Sequence, residues 1–301
     1  MSWWPFRRRR ATGNSAEKAG AAGTRMVQGR RFAAGVPYVL PKDMQEVNRL
    51  DFQHFMLRQV RRGNFEAPVR EPHDVLDVGT GTGRWAIEQA LLWPNSNVIG
   101  IDVVPPPIDA GADQQSIRPP NYVFVPGNIL EGLPFNDASF DYVHQRMLVG
   151  ALPRDRWAGV IQELLRVTRP GGWIELVEAG SAYGGGPALA TLNEWGISAA
   201  ASRGIDIAMG AQIGAMLQSG GAANVAAHEV FMPLGKRGGR VGLMMEANYF
   251  SALENIRPLI LKMGLTDEAT HTATLAQARR EVAQQRSGVT YFVAIGQRPS
   301  A

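Results

Sequence analysis

Three glycines at alternate positions, Gly79, Gly81 and Gly83, follow an apolar run that contains Asp77. Glycines so spaced let the backbone turn sharply and let a ligand approach where side chains would block it. A helix-forming segment through Leu92 comes next, and the first N–H groups of such a helix lack partners and favour negative charge. The stretch reads as a turn for a nucleotide-type ligand. A dinucleotide fingerprint would need a glycine three places after Gly81, and the chain has Arg84 there. A second acid, Asp102, ends the apolar run Val98-Ile99-Gly100-Ile101. At the end of the second strand of a βαβ unit a carboxylate can accept both hydroxyls of a ribose, or cap the next helix. Asp77 can brace the turn by accepting backbone N–H groups, or meet a ligand's ammonium.

The elements that must position these residues alternate. Strands are predicted near 73–78, 97–102, 121–126, 139–144 and 172–178, with helices near 84–93 and 154–168 and a poorer one around 109–117. That alternation predicts an α/β fold with a mostly parallel sheet and helices on both faces. Pro170-Gly171-Gly172 reads as the turn into the fifth strand. A Gly- and Ala-rich helical insertion is expected over about 180–225, then a strand at 226–233, helices near 241–263 and 267–285, and a last, antiparallel strand from Val289 to Gln297. Ahead of the sheet, Asp43 can cap a helix from about Met44 to Arg62, whose apolar face would be Val47, Leu50, Phe55 and Val60. With no strand partner in sequence, this extension (32–72) is expected to lie over the glycine turn as a lid. The remaining domain is 73–301.

Composition excludes several classes. There is no cysteine, hence no disulfide, thiolate metal site or cysteine nucleophile, and a reducing, cytoplasmic compartment fits. The five histidines have no short metal-ligand spacing, so no metal is expected. Residues 1–31 hold eight basic residues against Glu17, a net of +7 within a chain total of +4, which leaves −3 for the rest. The basic charge belongs to this stretch, read as a disordered tail, and no nucleic-acid surface is expected on the folded body. Trp3, Trp4 and Phe6 beside Arg7 to Arg10 could make weak contact with an anionic membrane.

The pattern D-x-G-x-G-x-G from Asp77 to Gly83 resembles motif I of class I S-adenosylmethionine (SAM) methyltransferases. Arg166 to Leu176 is similar to their late "LKPGG" motif. Tyr38-Val39-Leu40-Pro41, Arg49-Leu50-Asp51-Phe52-Gln53-His54, Gly81-Thr82-Gly83-Arg84-Trp85-Ala86 and His144-Gln145-Arg146-Met147 resemble the signatures of the LaeA-like, or TAM-like, branch (methyltransferase type 11/25-like). The resemblance covers about residues 35–299 and implies a Rossmann-like seven-stranded sheet that binds SAM. It further implies methyl transfer to a small-molecule acceptor, with secondary metabolism as one setting. Implied cofactor-binding residues are Tyr38, Asp77, Gly79, Thr80, Gly81, Gly83, Asp102, Asn128 and Ile129. Asn128 stands where the family often has an acid for the adenine amine; a turn asparagine is the other reading. Trp85 reads as core. His144, leaving the fourth strand beside the expected donor methyl, is the candidate general base, Arg146 its partner in orienting the acceptor, and His54 on the lid the rival base. A SAM-binding regulator acting through a protein partner is the alternative from a different class, and a dehydrogenase a third. The acceptor atom and the oligomeric state stay open.

Overall fold

The structure, a computed structural model, describes residues 24–27, 30–33, 35, 37, 40, 43–106 and 118–300. Two short strands, β1 (Thr24–Val27) and β2 (Arg30–Ala33), pair antiparallel. This corrects the expectation of a disordered tail for residues 24–27, 30 and 31. The arginine-rich composition obscured the two four-residue strands.

Helix α1 (Met44–Arg61) starts at Asp43, whose side chain accepts from Glu46 N, and ends at Arg62 in the left-handed region. Then follow β3 (Asp74–Val78), α2 (Arg84–Leu92), β4 (Asn97–Asp102), β5 (Tyr122–Pro126), β6 (Phe140–Arg146), α3 (Trp157–Val167) and β7 (Thr168–Gly184). The last third holds α4 (Pro187–Ala201), α5 (Ile213–Ser219), β8 (Ala223–Leu234), α6 (Gly239–Lys262), α7 (Glu268–Gln284) and β9 (Ser287–Gln297). The helix expected around 109–117 lies outside the described residues.

Seven strands form one sheet in the order β5-β4-β3-β6-β7-β9-β8. Pairing is parallel from β5 to β7, and β9 runs antiparallel to both β7 and β8. The strand order reverses between β3 and its neighbours β4 and β6, and ligands bind at such a switch point, at the carboxyl ends of the strands. One face of the sheet, with Leu76, Ile101 and Val143, packs on Trp157, Ile161 and Leu164 of α3. The other, with Val75, Val98 and Tyr142, packs on Trp85, Ala86 and Ala90 of α2. A further core joins α4, α6 and α7 to the far ends of β7, β8 and β9, and takes in Met56 and Leu57 of α1.

Two elements differ from expectation. The fifth strand of the main sheet was expected over 172–178, yet β7 extends at both ends. Arg298 holds the early part: its backbone bonds Gly171 and Gly172, and its guanidinium donates to Arg166 O and Thr168 O. Helix α1 buries a largely polar face. Glu46, Arg49, Gln53 and His54 go inside with Met56 and Leu57, while Phe55 of the expected apolar face is 46% exposed. The buried polar groups find partners from distant segments: Arg49 bonds Glu46 and Asn248, and Asn255 donates to Glu46. Satisfied in this way, a polar face can enter a core without the usual penalty.

Candidate functional site

The glycine turn lies at the carboxyl end of β3. Gly79 and Thr80 both donate backbone N–H bonds to Ile101 O, which ties the turn to β4. Gly79 has a φ of 69°, and a Cβ there would come within 2.6 Å of Leu148 Cδ2. Gly81, at φ 58°, faces open space: a Cβ built on it meets nothing closer than 3.9 Å. That exposed backbone forms one wall of a cleft of about 810 Å³, counting the part open to solvent. Asp102 forms another. Its Oδ2 accepts from Gly81 N at 3.0 Å and its Oδ1 from Val104 N at 3.2 Å, so the carboxylate is fixed at the wall. Ile101, Ile129, Leu130, Leu148 and Leu152 give the cleft apolar surface for a flat ring, and Arg146 lines it as the cation.

Asn128 lines the same cleft, but its Oδ1 caps the short turn Ile129–Glu131 by accepting from Leu130 N, and its Nδ2 donates to Glu131. The turn-residue reading is the one its bonds match. Gly83 is the N-cap of α2 and lines no cavity described here. Tyr38 lies outside the described residues.

A small neighbouring pocket gathers His54, Asp77, Thr80 and Arg146 with Gly79 and Gly81. Asp77 braces the turn through a side chain, not through backbone N–H groups: Thr80 Oγ1 donates to Asp77 Oδ2 at 2.6 Å. The other carboxylate oxygen lies 2.8 Å from His144 Nδ1. Arg146 donates to His54 Nδ1 at 3.1 Å, and Glu88 Oε1 lies 3.1 Å from His54 Nε2. Burial, reinforced by Arg146, pushes the His54 pKa down to about 4, so the ring is neutral near pH 7 and Nδ1 acts as an acceptor.

His144 lies outside both the cleft and the small pocket. It is fully buried, stacked on Trp85 with ring centroids 3.8 Å apart and planes 4° apart. Its Nε2 has no hydrogen-bond partner among the described residues. Burial lowers its pKa, and Asp77 opposes this only in part. The physical reason is register: His144 pairs with Asp77 and with Glu175 inside the sheet, two residues short of the end of β6, so α2 covers it. Arg146, the last residue of the strand, is the one that lines the cleft.

Two acids were missed by sequence reasoning. Glu175, buried in β7, accepts from Arg61 at 2.6 Å, from Glu66 N and Ala67 N, and from Tyr142 Oη, fastening the end of the N-terminal extension to the sheet. Glu178, also buried, accepts from Leu148 N and Val149 N, which shapes the loop under the cleft. Burial raises its pKa to about 8. The available signal was two acids within the apolar run Ile174-Glu175-Leu176-Val177-Glu178.

A second, larger cavity of about 1030 Å³, including its open part, lies between α1, α4, α6 and β7. Leu50 and Met147 line both this cavity and the cleft, so they form the partition between them. Arg146 lines the cleft and not the second cavity.

The switch-point cleft, glycine turn and terminal acid sit in a Rossmann-like α/β fold, and residues 75–172 match the family described as "Methyltransferase domain". The chain is similar over part of its length to proteins named as methyltransferases and to proteins named as secondary metabolism regulators. It is 36% identical over 144 residues to methyltransferase str2 of Strobilurus tenacellus, covering 47% of this chain and 49% of that one. It is also 36% identical over 148 residues to the secondary metabolism regulator LAE1 of Cochliobolus heterostrophus, covering 47% and 45%. The chain thus spans about half the length of the curated relatives it matches. In fold it is similar to phosphoethanolamine N-methyltransferase 2 of Haemonchus contortus, solved with S-adenosyl-L-methionine, at a TM-score of 0.50 and 15% identity over 84% of this chain and 52% of that one.

Proposed function

We propose that the chain binds SAM in the cleft at the ends of β3 and β4 and transfers its methyl group to a small molecule in the second cavity. The observation that carries this reading is the partition of Leu50 and Met147, which brings a nucleoside-shaped cleft and an apolar cavity into contact. The residues present fit the cofactor. The open face of Gly81 leaves room for it, Asp102 suits the ribose hydroxyls, the apolar wall suits the adenine, and Arg146 suits the carboxylate. When bound, SAM supplies a methyl carbon already activated by its sulfonium. The chain's task is then to align the acceptor and exclude water, and good orientation contributes about 7–11 kcal/mol.

Among the described residues, no side chain lining the second cavity offers a base near neutral pH. Burial pushes Tyr249 and Tyr291 up to about 12, and Arg49 is engaged by Glu46. The reaction therefore rests on alignment, with any proton leaving to water. A secondary-metabolic setting and a reducing, cytoplasmic compartment belong to the same proposal, as does weak contact of the basic N-terminal stretch with anionic membranes. A SAM-binding regulator is the second reading, favoured by the similarity to a protein named as a regulator. Titration calorimetry with SAM, followed by incubation with methyl-labelled SAM and a metabolite extract, tests both. Labelled small-molecule product is expected; SAM binding with no labelled product would favour the regulator, and no SAM binding would overturn both.

A further inference from the structure

We propose that the second cavity selects an uncharged, largely apolar acceptor and rejects both anions and cations of the same shape. This rests on the cofactor reading only in calling the occupant an acceptor. Much of the surface is aliphatic, with Leu40, Ile197, Met245, Leu253, Ile256 and Val289 among its residues. Among the described residues that line it there is no Asp, Glu, Lys or His. Arg49 is the one charged lining residue among those described, and it is committed: its Nε and Nη2 donate to the two oxygens of Glu46 at 2.7 and 2.5 Å, and Nη1 donates to Asn248 at 2.9 Å. Glu46 is held in turn by Asn255 at 2.6 Å. An anion entering the cavity would meet a guanidinium whose charge Glu46 already balances, and drawing Arg49 away from that buried carboxylate would leave an uncompensated charge. A cation would find no carboxylate and would lose its hydration.

The polar neutral groups are also mostly engaged with one another. Tyr249 Oη donates to Asn193 Oδ1 at 2.7 Å and accepts from Ala182 N at 3.0 Å, while Asn193 Nδ2 donates to Ala182 O at 2.9 Å. Such a closed set holds the wall rigid. What remains for a ligand is apolar surface, with Gln53 on the wall shared with the small pocket beside the glycine turn. Recognition then follows buried apolar area and shape, and charge acts as the discriminator.

The test uses the full chain and the neutral fluorescent probe N-phenyl-1-naphthylamine, displaced by three naphthalenes of similar size: 2-naphthol, 1-naphthoate and 1-naphthylmethylammonium. Naphthol is expected to displace the probe at a concentration at least tenfold below either ion. Ala252→Phe, which fills the cavity from α6, and Ile197→Asp, which places a charge at its 46% exposed mouth, are each expected to weaken probe binding at least tenfold. SAM affinity by calorimetry should stay unchanged in both. Displacement by naphthoate or naphthylmethylammonium as effective as by naphthol would overturn the proposal, as would probe binding untouched by both substitutions. Failure of the wild type to bind SAM would overturn the cofactor reading alone, and the competitor ranking would still decide the selectivity of the cavity.

Discussion

Asp102 and His144 are both buried polar residues of the sheet, and their neighbours give them different work. Asp102 is held at the cleft wall by two backbone N–H groups, so its replacement removes a preformed acceptor for ligand hydroxyls. Asp102→Ala is expected to weaken SAM binding tens- to thousands-fold, from two charge-assisted bonds of ~1.5–3 kcal/mol each; unchanged affinity by calorimetry would remove Asp102 from the site. His144 touches Asp77 and Trp85 and no cavity, which makes it a positioning residue for the turn through Asp77 and Thr80. His144→Asn is expected to lower stability and to change the methyl-transfer rate by less than ~10-fold. A fall of roughly 10²–10⁴ in kcat with SAM affinity intact would restore it as a base. Glu178 gives a pH dependence of definite sign. Its folded pKa of about 8 lies above the ordinary 4.5, so its contribution is fully present below 4.5 and is lost as pH rises through 8. Relative to Glu178→Gln, the wild type should lose a few kcal/mol of unfolding free energy across that window, at about 1.4 kcal/mol per pKa unit. Parallel urea-unfolding stabilities for the two proteins would contradict this.

At the scale of elements, α1 shows how a cover can be fastened by polar contacts. Asp51 takes Arg84 of α2, His54 takes Arg146 of β6, Arg49 reaches Asn248 of α6, and Arg61 at the last turn reaches Glu175 of β7. Both Arg61 and Glu175 are almost fully buried. Breaking the pair leaves a carboxylate without its cation, so Arg61→Ala is expected to cost about 3–5 kcal/mol in urea unfolding. A loss below about 1 kcal/mol would show that Glu66 N, Ala67 N and Tyr142 suffice to hold Glu175. These contacts also explain what was legible in the chain. The β3-α2-β4 unit could be read because its apolar runs, glycines and terminal acids are all local, and the cleft residues Gly79, Gly81 and Asp102 came with it. The buried face of α1 could not, because Arg49, Gln53 and His54 become core residues only through partners such as Asn248 and Arg146, far along the sequence. β7 was foreshortened because Pro170-Gly171-Gly172 carries turn chemistry, which the pairing with Arg298 overrides. His144 was expected at the strand exit, but the strand runs two residues further, enough to put it under α2.

Across the whole molecule, charge and shape divide the chain. The stretch 1–31 holds the positive excess, while the remainder is net negative. Since pairing begins at Thr24, removal of residues 1–23 is the clean deletion. It should leave SAM affinity and unfolding temperature unchanged and abolish sedimentation with anionic vesicles at low salt; equal sedimentation of both forms would dispose of a membrane role. The body is organised around two cavities that meet at Leu50 and Met147. Met147 carries a φ of 62°, rare for a side chain of its size, held by its N–H bond to Val177 O. A residue so confined and shared by two ligands ties their affinities together. If filling the cleft shifts Met147 and changes the hold on the second ligand by some factor, filling the second cavity must change the hold on the first by the same factor. On that condition the partition is a thermodynamic coupler, and its strength can be measured from either side.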